Sequence, residues 1–295
     1  MTHTYRTATS ADTPTLFAIN ERAVADLARR LGYPWDQGPG DPALWARRRP
    51  MFEHLAATAD QCWVAEDDGG QIIGYARSIL RDGVRELTEF FVLPGRQSSG
   101  VGRELLARAF PAGARQRIIV ATSDTRALAR YLKTGVSARF PIYEFRRAPE
   151  AVSVETDLRF EPMGVDGMAA AGAIDAKVLD YRRDDDHAWL AQQRTGFLAC
   201  RGNQAVGYGY LGDDSGPFAA LDPADLPALL AHAEIMAHVR GQAGLSFEVP
   251  LINRAAVAHL LARGFHMQPF LAFMMSDGPV DQFENYVLFS PPFFV

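Results

Sequence analysis

The chain repeats itself, and that repeat limits its fold more than any other feature. Asp124-Thr-Arg-Ala-Leu-Ala-Arg-Tyr-Leu-Lys-Thr-Gly-Val136 aligns without a gap on Asn253-Arg-Ala-Ala-Val-Ala-His-Leu-Leu-Ala-Arg-Gly-Phe265, at an offset of 129 residues. Val92-Leu-Pro94 falls on Leu221-Asp-Pro223 at the same offset. Ile73-Gly-Tyr75 matches Val206-Gly-Tyr208 at 133, so the second hairpin is about four residues shorter. Three matches in order read as an internal duplication. A length of 295 residues suits two domains of roughly 100–200 residues each, large enough to need no disulfide or metal staple. The predicted domains are 1–147 and 156–295, joined by a polar linker that begins near Arg147 and ends near Thr156.

Charge and cysteine content narrow the function classes. Thirty Lys and Arg against 35 Asp and Glu give a net charge of −5, which argues against a nucleic-acid partner. Two cysteines, Cys62 and Cys200, are too few for a disulfide framework or a thiolate zinc site, and no metal is expected. The first residues carry no apolar leader pattern, and no apolar run reaches the ~18 residues of a membrane span. The expectation is a soluble cytoplasmic protein with no membrane partner, a monomer or a homodimer.

Periodicity predicts the elements of the first copy. Thr13 and Pro14 start a helix whose apolar stripe is Leu16, Ile19, Ala23, Leu27 and Leu31, and Gly32 ends it. A Gly/Pro/Trp-rich loop at 33–42 leads to a short helix over 44–57. Three strands then form a meander at 62–66, 72–80 and 84–93, with turns at Asp67-Asp-Gly-Gly70 and Arg81-Asp-Gly83. After a loop at 94–100 come a helix through Val101, Leu105, Leu106 and Ala109, a strand at 117–122 and a helix at 125–134. This is an α/β (α+β) order: a mixed, mostly antiparallel sheet flanked by helices, built twice.

Gln97-Ser-Ser-Gly-Val-Gly102 lies between a strand and a helix. Glycines at 100 and 102 let the backbone approach an anion held by the helix's first N–H groups and its positive dipole end. The same residues also suit a plain strand-to-helix turn. Followed by a strand and then Asp124-x-x-Ala-x-x-x-Tyr-x-Lys-x-Gly135, the pattern resembles the GNAT superfamily of acyl-CoA N-acyltransferases. The resemblance covers 1–146 in order and motif, and 156–290 more weakly as a degenerate second copy.

The resemblance implies acetyl-CoA, or another acyl-CoA, as co-substrate. Its pyrophosphate would rest on the backbone of Gln97, Ser98, Ser99, Gly100, Val101, Gly102 and Arg103. The pantetheine arm would pair like an extra strand near Phe90 and Val92, with the N–H near Phe90 as oxyanion donor. Ser98-Ser99 departs from the basic or glycine residues usual in that loop. Asp124 stands where the family has Asn as a partner of pantetheine amides, and a carboxylate accepts but does not donate.

Transfer to an amine needs a proton acceptor, and the thiolate leaving group needs a donor. Glu86 and Glu89 are the carboxylates on the strand before the loop. Three apart on a strand, they are expected on opposite faces, so that only one faces the reacting centre, and family register favours Glu86 as base or water anchor. Tyr131 matches the family's frequent general acid; its alternative is a core tyrosine on the face formed with Ala127, Leu128 and Leu132.

In the second copy the offset carries Gln97, Gly100 and Gly102 to Leu226, Leu229 and Ala231, and Tyr131 to Leu260, so no coenzyme site is expected there. The predicted function is N-acyl transfer to a primary amine of a small molecule or peptide. The alternative is a non-catalytic acyl-CoA-binding or sensing module. Aminoacyl transfer from a tRNA donor, known for some double-GNAT proteins, fits the acidic balance poorly.

Several other features are read as structural. Asp184-Asp-Asp-His187 is read as a solvated helix start, and Arg47-Arg-Arg49 as an exposed helix end beside Pro50. Tyr33-Pro-Trp-Asp36 suits either an acceptor-side loop or a pinned surface loop. The apolar tail Ser290-Pro-Pro-Phe-Phe-Val295 is expected to be buried.

Overall fold

The computed structural model describes residues 3–33, 40–97, 100–292 and 294–295. By contact the chain divides into two compact units, Met1–Ser137 and Ala138–Val295.

The first unit contains β1 (Thr4–Thr7), α1 (Thr13–Leu31), α2 (Pro42–Ala57), β2 (Ala59–Glu66), β3 (Ile72–Arg81), β4 (Val84–Val92), α3 (Val101–Ala109), β5 (Gln116–Thr122) and α4 (Thr125–Leu132). Its strands run in the order β1-β2-β3-β4-β5. All neighbours are antiparallel except β4 and β5, which are parallel. The β3–β4 hairpin closes with Arg81 paired to Val84, and Asp82 and Gly83 both take positive φ (44° and 84°). That is the two-residue Asp-Gly turn whose twist matches the strands it joins.

Gly32 ends α1 in the left-handed conformation, as its position predicts. Thr13 is the first residue inside α1 and not its cap, because a 3-10 turn at Ser10–Asp12 runs directly into the helix. Leu16 and Ile19 of α1 bury against Val64 and Tyr75 of the sheet. Helix α2 continues through Pro50, so Arg47-Arg-Arg49 lies along the helix and not at its end.

The second unit contains β6 (Ser137–Arg147, apart from its first residue), β7 (Arg159–Pro162), α5 (Val165–Val178), α6 (Asp184–Gln193), β8 (Thr195–Arg201), β9 (Gln204–Leu211), β10 (Ser215–Ala220), α7 (Leu226–Val239), β11 (Leu245–Pro250), α8 (Arg254–Ala262), β12 (His266–Ser276) and β13 (Tyr286–Val287). Its strands form one set ordered β13-β10-β9-β8-β7 and another ordered β12-β6-β11. Composition assigns β6 to the first domain, yet β6 packs with the second. It pairs with β11 from Leu245↔Arg147 to Pro250↔Ile142, a partner about a hundred residues downstream that composition does not reveal.

The two copies share backbone detail. A Cβ on Gly74 or on Gly207 would meet a neighbouring strand's carbonyl, Phe91 or Ala219, at 2.9 Å in each case. Asp124 and Asn253 both cap the following helix by accepting a backbone N–H. Leu226, Leu229 and Ala231, which replace the glycine loop, are buried apolar residues of α7.

Asp186 and His187 are not part of a solvated helix start. Only Asp184 and Asp185 face water, whereas His187 Nε2 contacts Asp175 (2.8 Å) and its Nδ1 contacts Tyr210 (3.0 Å) inside the core. Arg183 Nε donates to Asp175 at 2.7 Å and Tyr208 also donates to that carboxylate. Burial pushes the Asp175 carboxyl up, but Arg183 and His187 outweigh it and hold it below its ordinary value. The network ties α5, α6 and β9 together.

Candidate active site in the first unit

Strands β4 and β5 begin as a pair and then part. Their parallel register runs from Val84↔Gln116 to Leu87↔Ile119 and goes no further. At that point β4 carries an extra residue. Leu87 faces Ser78 and Glu89 faces Arg77, which leaves Thr88 as a bulge whose Oγ1 donates to the Arg77 carbonyl at 3.2 Å. Beyond it, Thr88–Val92 has no β5 register partner, and Phe90 and Val92 lie on this free stretch. Parted parallel strands expose backbone N–H and C=O groups that an extended ligand can use.

The bulge corrects the expectation for the two carboxylates. Glu86 pairs with Ile79 and Glu89 with Arg77, and Ile79 and Arg77 are two apart on one strand. Glu86 and Glu89 therefore share a face, because the extra residue restores the alternation that three-residue spacing breaks.

Their surroundings differ. Glu89 is fully buried, takes a 2.6 Å hydrogen bond from the Tyr75 hydroxyl and faces Arg77 Nη1 at 2.7 Å. Burial opposes the Arg77 charge, but Glu89 beside it keeps the guanidinium protonated. Burial, with Glu89 adding to it, raises the Tyr75 hydroxyl well above its ordinary range. Glu86 is also buried, one residue before the last β4–β5 pair. Sequence reasoning missed Tyr75 and Arg77. An arginine inside the apolar run Ile72–Leu80 was the available signal, since such a charge needs a buried counter-ion.

Helix α3 starts where the free stretch of β4 leads. Gly100 is its N-cap, at φ 87°, a conformation that disfavours any side chain. Gly102 has ordinary backbone angles and matters for space: a Cβ there would lie 3.1 Å from Phe90 Cζ and 3.6 Å from the Arg130 guanidinium carbon. The N–H groups of Val101 and Gly102 belong to the open first turn. Arg103 N–H instead donates to the Gly100 carbonyl at 3.0 Å, so it is less available than the sequence reading supposes. Gln97 Nε2 reaches the Val92 carbonyl at 3.4 Å, and the Arg103 side chain pairs with Glu104 in solvent. Ser98 and Ser99 lie outside the described residues, as do Pro34, Trp35 and Asp36 of the 33–36 segment.

Helix α4 borders the same place. Tyr131 is buried, with its ring edge-on to Phe90 at 6.0 Å between centroids. Burial, helped by the Asp124 charge, pushes its hydroxyl well above the ordinary range, so it remains an O–H donor. Asp124 caps α4 through the Arg126 N–H (3.0 Å) and accepts from Arg30 Nη2 (2.9 Å). Burial raises its carboxyl, but Arg30 and the Arg126 amide more than offset this. Among the described residues, no group of three or more His, Cys, Asp or Glu is arranged to hold a metal. No described helix is long and apolar enough to cross a membrane.

Residues 21–136, which contain the bulge, the parted strands and the glycine-capped helix, match the acetyltransferase (GNAT) family. That match lies within the first unit and spans less than half of the chain. Solved structures share the fold over nearly the whole chain. A candidate acetyltransferase from Pyrococcus horikoshii superposes with a TM-score of 0.73 at 15% identity, covering 96% of this chain and 92% of that one. A GCN5-related N-acetyltransferase from Sphaerobacter thermophilus gives 0.58 at 16%, covering 93% and 95%. A tandem GNAT protein from the clavulanic acid biosynthesis pathway gives 0.57 at 15%, covering 94% and 99%. Among curated proteins none matches.

Proposed function

We propose that the first unit transfers an acetyl or other acyl group from acyl-CoA to a primary amine of a small molecule or peptide. One observation carries this reading: β4–β5 pairing ends at Leu87↔Ile119, in front of a helix that opens on a left-handed glycine. The parted strands suit a pantetheine arm, which pairs like a strand, and the α3 N-terminus suits a pyrophosphate.

In the reaction the neutral amine attacks the thioester carbonyl, the C–S bond breaks and coenzyme A leaves as thiolate. Glu86 takes the amine proton, directly or through water, while the free backbone of β4 near Phe90 donates to the oxyanion. Tyr131 serves the leaving sulfur as a hydrogen-bond donor. A phenol raised above its usual value of about 10 is too weak an acid to give its proton readily to a thiolate. Glu89 stays the counter-ion of Arg77.

The test is thiol release from acetyl-CoA across an amine panel. Replacing Gly102 with Glu puts bulk against Phe90 and a negative charge in the cradle, and turnover should fall at least ~100-fold. Unchanged turnover would remove the site from consideration. A binding-only role has one observation in its favour, the capture of Glu89 by Arg77 and Tyr75. Glu86→Gln separates the two: an enzyme loses turnover and keeps its coenzyme affinity, whereas a binding module shows no turnover to lose.

A further inference from the structure

The second unit has its own pair of parting strands, and the gap between them is filled. The 129-residue offset carries β4 onto β10 and β5 onto β11, and it carries Glu86 and Glu89 to Ser215 and Phe218. Strand β10 has an irregularity at the matching place, where register jumps from Ser215 to Phe218. Between β10 and β11 runs β13 with the residues that follow it. Phe218 and Ala219 of β10 pair with Val287 and Tyr286, and Glu248 of β11 bridges Leu288. Leu288 N–H donates to the Glu248 carbonyl at 2.9 Å, and Ser290 N–H donates to the Ser215 carbonyl at 3.0 Å. One extended segment thus satisfies both strand edges.

Two side-chain positions are shaped for that segment. Asn253 Nδ2 donates to the Tyr286 carbonyl at 3.1 Å while its Oδ1 caps α8. Asn253 is the counterpart of Asp124, and this copy keeps the amide side chain that the first copy lacks. The amide holds a backbone carbonyl of the chain itself. Gly216 is the second position: a Cβ there would fall inside the van der Waals shell of the Leu288 carbonyl oxygen, a backbone atom that cannot rotate away.

We propose that the cleft between β10 and β11 is a strand-binding site whose ligand is residues 286–290 of the same chain, and that this ligand keeps acyl-CoA out of the second unit. The exclusion rests on the reading of the β4–β5 cleft as the coenzyme slot. The strand site itself does not.

Hydrogen exchange on the full chain, with and without saturating acetyl-CoA, tests the strand site. The amides of Leu288 and Ser290 should exchange at least ~100-fold more slowly than unstructured chain, equally in both conditions. Gly216→Ala should cut that protection about tenfold or more. Gly241→Ala, which carries a similar positive φ (67°) with nothing within 4 Å of its Cβ, should not. Unprotected amides at 286–290, protection that falls as coenzyme is added, or equal effects of the two variants would overturn the proposal. The wild-type exchange decides the matter even if Gly216→Ala fails to fold. Calorimetry should give one coenzyme per chain, and a second binding event that survives Gly102→Glu would also overturn it. A chain that binds no coenzyme would sink the acyl-CoA reading of the first unit, while the exchange data would still judge the strand site.

Discussion

Charge is handled differently at three carboxylates, two of them buried and one half-buried, and the buried two have measurable consequences. Arg77 and Glu89 are both fully buried and face each other, so removing one strands the other. Arg77→Met should destabilise the protein by about 3–5 kcal/mol, and the double change Arg77→Met with Glu89→Leu should recover much of it, read by denaturant unfolding. Among the described residues, no cation pairs with Glu248 on β11. Burial, with Glu144 and Asp214 adding repulsion, pushes its carboxyl up to about 8. Between its ordinary value near 4.5 and about 8, the folded chain holds a proton that the unfolded chain has lost. Stability should therefore fall as pH rises through that window. Glu248→Gln should flatten the profile there and raise Tm at pH 8 by several degrees. Asp124 is the third case, already committed to Arg30 and to the cap of α4.

At the scale of elements, short sequence signals worked where the cause is local. Asp82-Gly83 forms the tight turn, Gly32 ends α1 and Gly100 opens α3, because each needs a positive φ that its neighbours do not alter. The faces of Glu86 and Glu89 were not legible in the same way. A bulge belongs to a pair of strands, and nothing within the nine residues of β4 announces that Thr88 lacks a partner. Asp124→Ala should cost about 1 kcal/mol through the lost α4 cap. Gly100→Ala should cost roughly 1 kcal/mol or more through backbone strain, and it should also weaken coenzyme binding because the strained residue opens the proposed cradle. Urea titration with coenzyme calorimetry on both variants separates these effects: Asp124→Ala should move mainly stability, and Gly100→Ala both.

For the molecule as a whole, asymmetry between the copies is the main expectation. Acetyl-CoA at about 100 times its Kd should stabilise the first unit by roughly 2.7 kcal/mol, seen as slower exchange across 84–135 and unchanged exchange at 286–290. Uniform protection across both units would contradict a single site. The sequence by itself determined that segments recur at an offset of 129 residues, that the first carries GNAT-like motifs and that leucines and alanine stand in the second where the first has its glycine loop. It also required the apolar tail to be buried, and Ser290, Phe294 and Val295 are. These conclusions follow from residue identity at fixed spacing along the chain. Only the tertiary structure decided that Glu89 belongs to Arg77 and Tyr75, that β6 pairs with β11, and that residues 286–290 lie between β10 and β11. Each of those depends on which strand edge is left unpaired after the others have found partners, and an unpaired edge belongs to the folded sheet, not to any run of residues.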